Sequence, residues 1–136
     1  MSAAKSYADI ASWMHDLRDE TTRTCLVCAE KMALIHQIKY PLPLIALEFQ
    51  DFNIPISYDF NISISNSNIL YKLCGIIYFG DSHFTSRVIY DNGMVWFHDG
   101  IDTGQTLKYE GMIHNLKGSL NACGNKKASV AIYAKC

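Results

Sequence analysis

The sequence predicts an α+β domain, with short helices at the N-terminus followed by an antiparallel β-sheet. Three observations carry that expectation. Apolar residues near the N-terminus recur at helical spacing, whereas from Leu44 onward they fall in short β-branched and aromatic runs, some alternating with polar residues. Between two of the later runs stands Asn92-Gly93, a pair suited to the positive φ angles of a tight hairpin turn. A chain of 136 residues is enough for one such domain with a modest core.

The first element reads as a helix. Ser6 and Asp9 form an S-x-x-D start signal, in which the serine hydroxyl accepts an early amide hydrogen bond. Tyr7, Ile10, Ala11, Met14 and Leu17 then line one face, with Asp9, Asp16 and Asp19 elsewhere, and the helix ends before Thr21–Thr24. Ala29, Glu30, Lys31, Met32, Ala33 and Leu34 are good helix formers and suggest a second short helix within Cys28 to Ile38. Pro41 and Pro43 punctuate the chain, after which Leu44 to Phe49 reads as a buried strand. Tyr58, Phe60, Ile62 and Ile64 alternate with polar residues, as in a strand with one solvent face. Ser65 to Asn68 is a turn, and strands follow over Leu70 to Phe79, Phe84 to Tyr90 and, past Asn92-Gly93, Met94 to Phe97. Gly100 to Lys127 is rich in glycine and polar residues and reads as loop or weak helix, and Ser129 to Tyr133 closes the chain as a last strand.

Composition narrows the function classes. With 49% hydrophobic residues, 18% charged and a formal net charge of −1, the chain lacks the concentrated basic surface that nucleic-acid binding needs. No window approaches the roughly 18 uninterrupted apolar residues of a membrane span. The N-terminus is charged and amphipathic, unlike the apolar core of a signal peptide. Five cysteines at irregular spacing read as reduced thiols and not as a secreted disulfide framework. The expectation is therefore an intracellular protein, cytoplasmic or nuclear, with no nucleic-acid or membrane partner and no cofactor.

Two residues stand out by where the hairpin puts them. His83 opens one strand and Asp99 closes its antiparallel partner. A turn at Asn92-Gly93 sets position i opposite roughly 185 − i, so that Asp99 falls near His83 if a bulge intervenes. An imidazole beside a carboxylate is the pairing in which the acid orients the ring and stabilises its protonated form. The other ring nitrogen is then available to activate a thiol. On spacing alone, a histidine and an aspartate flanking a hairpin are surface residues more often than not.

Several landmarks occur in one order. They are the pair Cys25-Leu26-Val27-Cys28; the run Leu42-Pro43-Leu44-Ile45-Ala46-Leu47-Glu48-Phe49; Tyr71-Lys72-Leu73-Cys74; Ser82-His83-Phe84; Trp96-Phe97-His98-Asp99; and Ala128 to Tyr133. From about Thr24 to Tyr133 this order resembles the C-terminal half of the ubiquitin-specific protease catalytic domain, which has a papain-like cysteine-protease fold. The resemblance implies His83 as general base, Asp99 as its orienting acid, and ubiquitin or a ubiquitin-like protein as partner. It divides the chain into an N-terminal amphipathic helix, residues 1–23, and a β-rich domain, residues 24–136. The sequence also departs from the family: Ser82 replaces a glycine, Phe84 a tyrosine, Gly100 a second acid and Glu48 an arginine. The family's Asn-Thr-Cys nucleophile box, with its oxyanion donor, has no counterpart before Ser6.

Among the cysteines, Cys25 is the one candidate replacement nucleophile, since Thr24-Cys25-Leu26 echoes Thr-Cys-Tyr and a helix N-terminus after it would lower the thiol pKa. The resemblance instead makes it a finger cysteine. Cys74 faces a predicted core strand as a small apolar side chain, and Cys123 and Cys136 lie in loop and terminus. Cys25 and Cys28 supply two ligands where structural zinc needs four, and His15, His36 or Cys123 are poor completions, so no metal is expected. His98 is expected to be exposed, and Trp96, Phe97, Phe84 and Tyr90 to form one cross-strand cluster that stabilises the hairpin or lines a groove for an extended peptide. Three readings stand: a histidine- and acid-bearing hydrolase half inactive on its own, a non-catalytic ubiquitin-binding module, and a structural β-domain. An exposed sheet edge is a physical reason to expect association.

Overall fold

In the computed structural model, which describes residues 8–16, 18–35, 37–49 and 54–136, the first element is a helix, α1 (Ile10–Asp16). Asp9 begins it. Its carboxylate accepts the Ser12 amide at 2.8 Å and the Ser12 hydroxyl at 2.7 Å, and its carbonyl accepts the Trp13 amide at 3.1 Å. Asp9 thus takes the capping role that the sequence assigned to Ser6. Ser6, Tyr7 and Leu17 lie outside the described residues. Ile10, Trp13 and Met14 form the buried face, so Trp13 joins the expected set.

One α-helix is present among the described residues, not several. Residues 18–24 and 31–35 instead form β1 (Arg18–Thr24) and β2 (Lys31–Ile35), a separate two-stranded antiparallel sheet with Arg18 opposite Ile35 and Thr24 opposite Lys31. The helix formers between Ala29 and Leu34 are overruled because so short a helix is marginal without packing. A partner strand carrying Thr21, Thr22 and Thr24 favours pairing instead.

The remaining elements are β3 (Leu44–Glu48), β4 (Asp59–Ile64), β5 (Ser67–Gly80), β6 (His83–Ile89), β7 (Met94–His98), β8 (Lys108–Met112), a 3-10 turn (Ile113–Asn115), β9 (Ala122–Cys123) and β10 (Lys126–Lys135). They make one antiparallel sheet in the order β3-β10-β5-β6-β7-β8, with β4 also paired to β5 and β9 to β10. Every strand expected from Leu44 onward is present. The stretch from Gly100 to Lys127 contributes β8 and β9, which its glycine-rich composition concealed.

The sheet's register places the core. Tyr71 and Leu73 of β5 are buried, then Ile76 and Tyr78, because Cys74 is an extra residue between the pairs Leu73↔Tyr133 and Gly75↔Ile132. Cys74 is therefore a half-buried bulge residue whose thiol lies 3.4 Å from the Ile132 carbonyl, not a core side chain. Trp13, Leu47, Ile54, Val95 and Tyr133 complete the most buried part of this core. Its three tyrosine hydroxyls all donate to carbonyls: Tyr71 to Leu42 at 2.8 Å, Tyr78 to Leu120 at 2.8 Å and Tyr133 to Ser57 at 2.6 Å. No helix among the described residues is long and apolar enough to cross a membrane.

Candidate active site

His83 is the first residue of β6 and follows a two-residue turn, Asp81-Ser82, that closes the pair Gly80↔His83. Both turn residues have positive φ, 52° and 58°, as a type I′ connection requires. The turn is clamped from β10 and the residues before it. The Asn125 amide donates to the Asp81 carboxylate, and Lys126 Nζ donates to the Gly80 carbonyl at 2.7 Å. Gly80 permits this approach, since a Cβ there would lie 3.1 Å from Lys126 Cγ.

Asp99 arrives from the other side of the hairpin. The loop is three residues long, Asp91-Asn92-Gly93, with Tyr90 N bonded to the Met94 carbonyl and Gly93 N to the Tyr90 carbonyl, each at 2.9 Å. Gly93 alone in it has positive φ, 88°, so this is a three-residue loop and not the two-residue turn expected. The last ladder pair is Ser86↔His98, and one further step would set Asp99 opposite Thr85. The backbone turns there: Thr103 Oγ1 accepts the Asp99 amide at 3.0 Å and donates to its carbonyl at 2.8 Å. The Asp99 carboxylate thereby reaches back, and Oδ1 accepts His83 Nε2 at 2.7 Å, the Ile101 amide at 2.9 Å and the Asp102 amide at 3.4 Å.

The His83 bond, and after it the Ile101 amide, hold the Asp99 carboxyl below its usual range. An ionised carboxylate only accepts, so Nε2 carries the proton and Nδ1 of the neutral ring is the basic nitrogen. The Asp99 side chain is 10% exposed and that of His83 27%. The pair opens onto a cleft of about 380 Å³ lined also by Thr85, Phe97, Cys123 and Lys126. A second depression of about 440 Å³, with Ile77, Phe84, Ser86 and His98 in its wall, also touches His83.

Cys123, Asn125 and Lys126 reach this site without any local signal in the sequence, because the β9–β10 hairpin carries them there from the far end of the chain. Burial pushes the Cys123 thiol up, away from the reactive thiolate form. Thr85 is buried, and its hydroxyl has no hydrogen-bond partner among the described residues. Cys25 sits at the tip of the β1–β2 hairpin and lines neither depression. His98 bonds the Gly104 carbonyl at 2.9 Å, His15 is exposed, and His114 packs edge-on to Tyr58. His36 lies outside the described residues. No group of three or more metal-ligating side chains converges among the described residues. The single aromatic cluster expected on the hairpin is two: Phe84 packs on Phe79 at 4.5 Å, while Trp96 meets Tyr90 at 6.3 Å and Tyr109 at 5.1 Å.

Neither a protein-family model nor a curated protein sequence matches this chain. Solved structures match its fold. A chain of the Ubp8-Sgf11-Sgf73-Sus1 SAGA DUB module superposes with a TM-score of 0.63 at 14% identity, over 99% of this chain and 33% of that one. A chain of the SAGA DUB module bound to monoubiquitin gives 0.60 at 14% identity, over 99% and 34%. A chain of the yeast module gives the same values. The fold is shared with these DUB-module chains, and the chain spans about a third of the length of these structural relatives.

Proposed function

We propose that this chain is the histidine- and acid-bearing half of a deubiquitinase-like cysteine hydrolase, with the papain-like division of labour. The observation that carries this reading is the 2.7 Å bond between His83 Nε2 and Asp99 Oδ1 at the mouth of a cleft, within a fold shared with DUB-module chains. Asp99 orients the ring and favours its protonated form, and Nδ1 removes the proton of a cysteine thiol. That thiolate attacks the C-terminal carbonyl of ubiquitin or a ubiquitin-like protein, and His83 returns the proton to the departing amine. The cysteine is supplied from outside these 136 residues. Burial pushes the Cys123 thiol up, and Cys25 stands at the tip of the separate β1–β2 hairpin.

On this reading the chain alone binds ubiquitin but does not turn it over. Titration of isotope-labelled chain with ubiquitin should shift the signals of His83, Phe97 and Lys126. A ubiquitin amide fluorophore should stay intact, and a thiol-directed ubiquitin probe should leave the chain unlabelled. Absence of any ubiquitin-induced shift would leave a structural β-domain. Turnover abolished by Cys25→Ala would make Cys25 the nucleophile. A shift that persists unchanged in both His83→Ala and Asp99→Asn, together with failure to complement a nucleophile-bearing half, would favour a non-catalytic binding module.

A further inference from the structure

The β6–β7 ladder ends at the pair Ser86↔His98. Continued by one step, it would set Asp99 opposite Thr85, on the diagonal from His83. Diagonal neighbours on a sheet stand about 7–8 Å apart, a gap that suits aromatic or long side chains and that a short aspartate spans poorly. Asp99 reaches His83 because one side chain takes it out of the ladder. Thr103 Oγ1 accepts the Asp99 amide at 3.0 Å and donates to the Asp99 carbonyl at 2.8 Å, which turns both backbone groups away from β6. The Thr103 amide donates to the same carbonyl at 2.8 Å. The rest of the loop is fastened separately. His98 Nε2 donates to the Gly104 carbonyl at 2.9 Å, and Thr106 Oγ1 donates to the Thr103 carbonyl at 2.7 Å.

We infer that Thr103 is a positioning residue for the histidine–acid pair: its hydroxyl keeps Asp99 off the β6 ladder and so aims the carboxylate at His83 Nε2. The inference rests on the reading of that pair as base and acid, and it adds to the pair a residue that touches neither the imidazole nor the substrate. The His83 bond is the foremost of the contacts that hold the Asp99 carboxyl below its usual range, so the aim of this carboxylate matters to both partners. Without the Thr103 hydroxyl the loop stays closed through His98 and Thr106, but the Asp99 amide is free to rejoin β6. Nε2 then loses the acceptor that fixes it as the protonated nitrogen, and the neutral ring populates both tautomers. Nδ1 is no longer held as the basic nitrogen.

The test reads the imidazole itself, on the full chain, without ubiquitin or a nucleophile-bearing half. At a pH high enough to leave the ring neutral, its nitrogen chemical shifts should report the Nε2-protonated tautomer in the wild type. Asp99→Ala sets the signal for a lost carboxylate. Thr103→Val exchanges the hydroxyl for a methyl. It should move the ring signals most of the way to those of Asp99→Ala, with the Nε2 proton exchanging several-fold faster. Thr103→Ser keeps the hydroxyl and should return both readings to wild-type values. Thr106→Val makes the same exchange in the same loop and should leave the ring unchanged. If Thr103→Val does not fold, Thr103→Ala carries the same expectation without added bulk. Unfolding of both would overturn the inference, because the hydroxyl would then serve the fold and not the pair. So would wild-type ring signals in a folded hydroxyl-free variant, equal losses in Thr103→Ser and Thr103→Val, or an equal effect of Thr106→Val. Failure of the wild-type chain to bind ubiquitin would count against the hydrolase reading and leave these ring measurements untouched.

Discussion

Arg87 on β6 and Glu110 on β8 bond to each other across the whole width of the intervening strand β7. Arg87 Nε donates to one Glu110 oxygen at 2.7 Å and Nη2 to the other at 3.2 Å, a bidentate pairing. The span is possible because Glu110 is the extra residue of a bulge between the pairs Val95↔Gly111 and Trp96↔Tyr109, which re-aims its side chain. Arg87 Nη1 also donates to the Tyr78 hydroxyl at 3.2 Å, and burial pushes that phenol up to about 12. Burial works against the Arg87 charge, yet the Glu110 bonds keep its pKa above the usual guanidinium value.

This pair fastens the β7–β8 edge to the sheet. Glu110→Ala should destabilise the fold by about 1–3 kcal/mol in urea unfolding, the cost of stranding a partly buried charge discounted for its remaining exposure. Replacing both partners with Met and Leu should recover most of that loss, because a well-packed apolar pair carries no desolvation cost. A double variant no better than the single one would show that packing, and not charge pairing, is what Glu110 provides.

Asp99 has a depressed carboxyl in the folded chain, so its contribution to stability is complete above the unfolded carboxylate range, about 3.9. It is lost as the pH falls through the lower folded value. Thermal midpoints of the wild type and Asp99→Asn should differ near neutral pH and converge as the pH is taken below about 3.9. Parallel midpoints over the whole range would mean that the carboxylate contributes through shape alone.

Ser82 adopts φ 58° immediately before His83, a conformation that costs a residue with a side chain roughly 1–2 kcal/mol and glycine nothing. Ser82→Gly should therefore stabilise the chain by about 0.5–1 kcal/mol once glycine's greater unfolded-state freedom is subtracted. The chemical shifts of His83 should hardly move. Ser82→Val, β-branched at the same φ, should destabilise it.

Trp13 is fully buried under the sheet, and its indole nitrogen has no hydrogen-bond partner among the described residues. Trp13→Ala should cost about 3–5 kcal/mol and release α1 from its contacts with Pro55 and Ser57. Trp13→Phe should cost much less, because it keeps the ring and removes the unpartnered donor. Amide exchange over Ile10 and Ala11 would report the release directly.

The sequence alone determined β3 to β7 and β10, because alternation and β-branched runs are local properties of a chain with one apolar face to bury. It also placed His83 and Asp99 at neighbouring ends of one hairpin, since the short loop ties their backbone positions. Tertiary structure decided what depends on distant partners. The helix formers after Cys28 became a strand because β1 offered backbone pairing that a helix so short could not match. Asp99 reached His83 through the Thr103 turn and not through the ladder. Glu110 met Arg87 only because a bulge turned it. Cys123, Asn125 and Lys126 entered the His83 site because β10 pairs with β5, a contact between the middle and the end of the chain that no local pattern encodes.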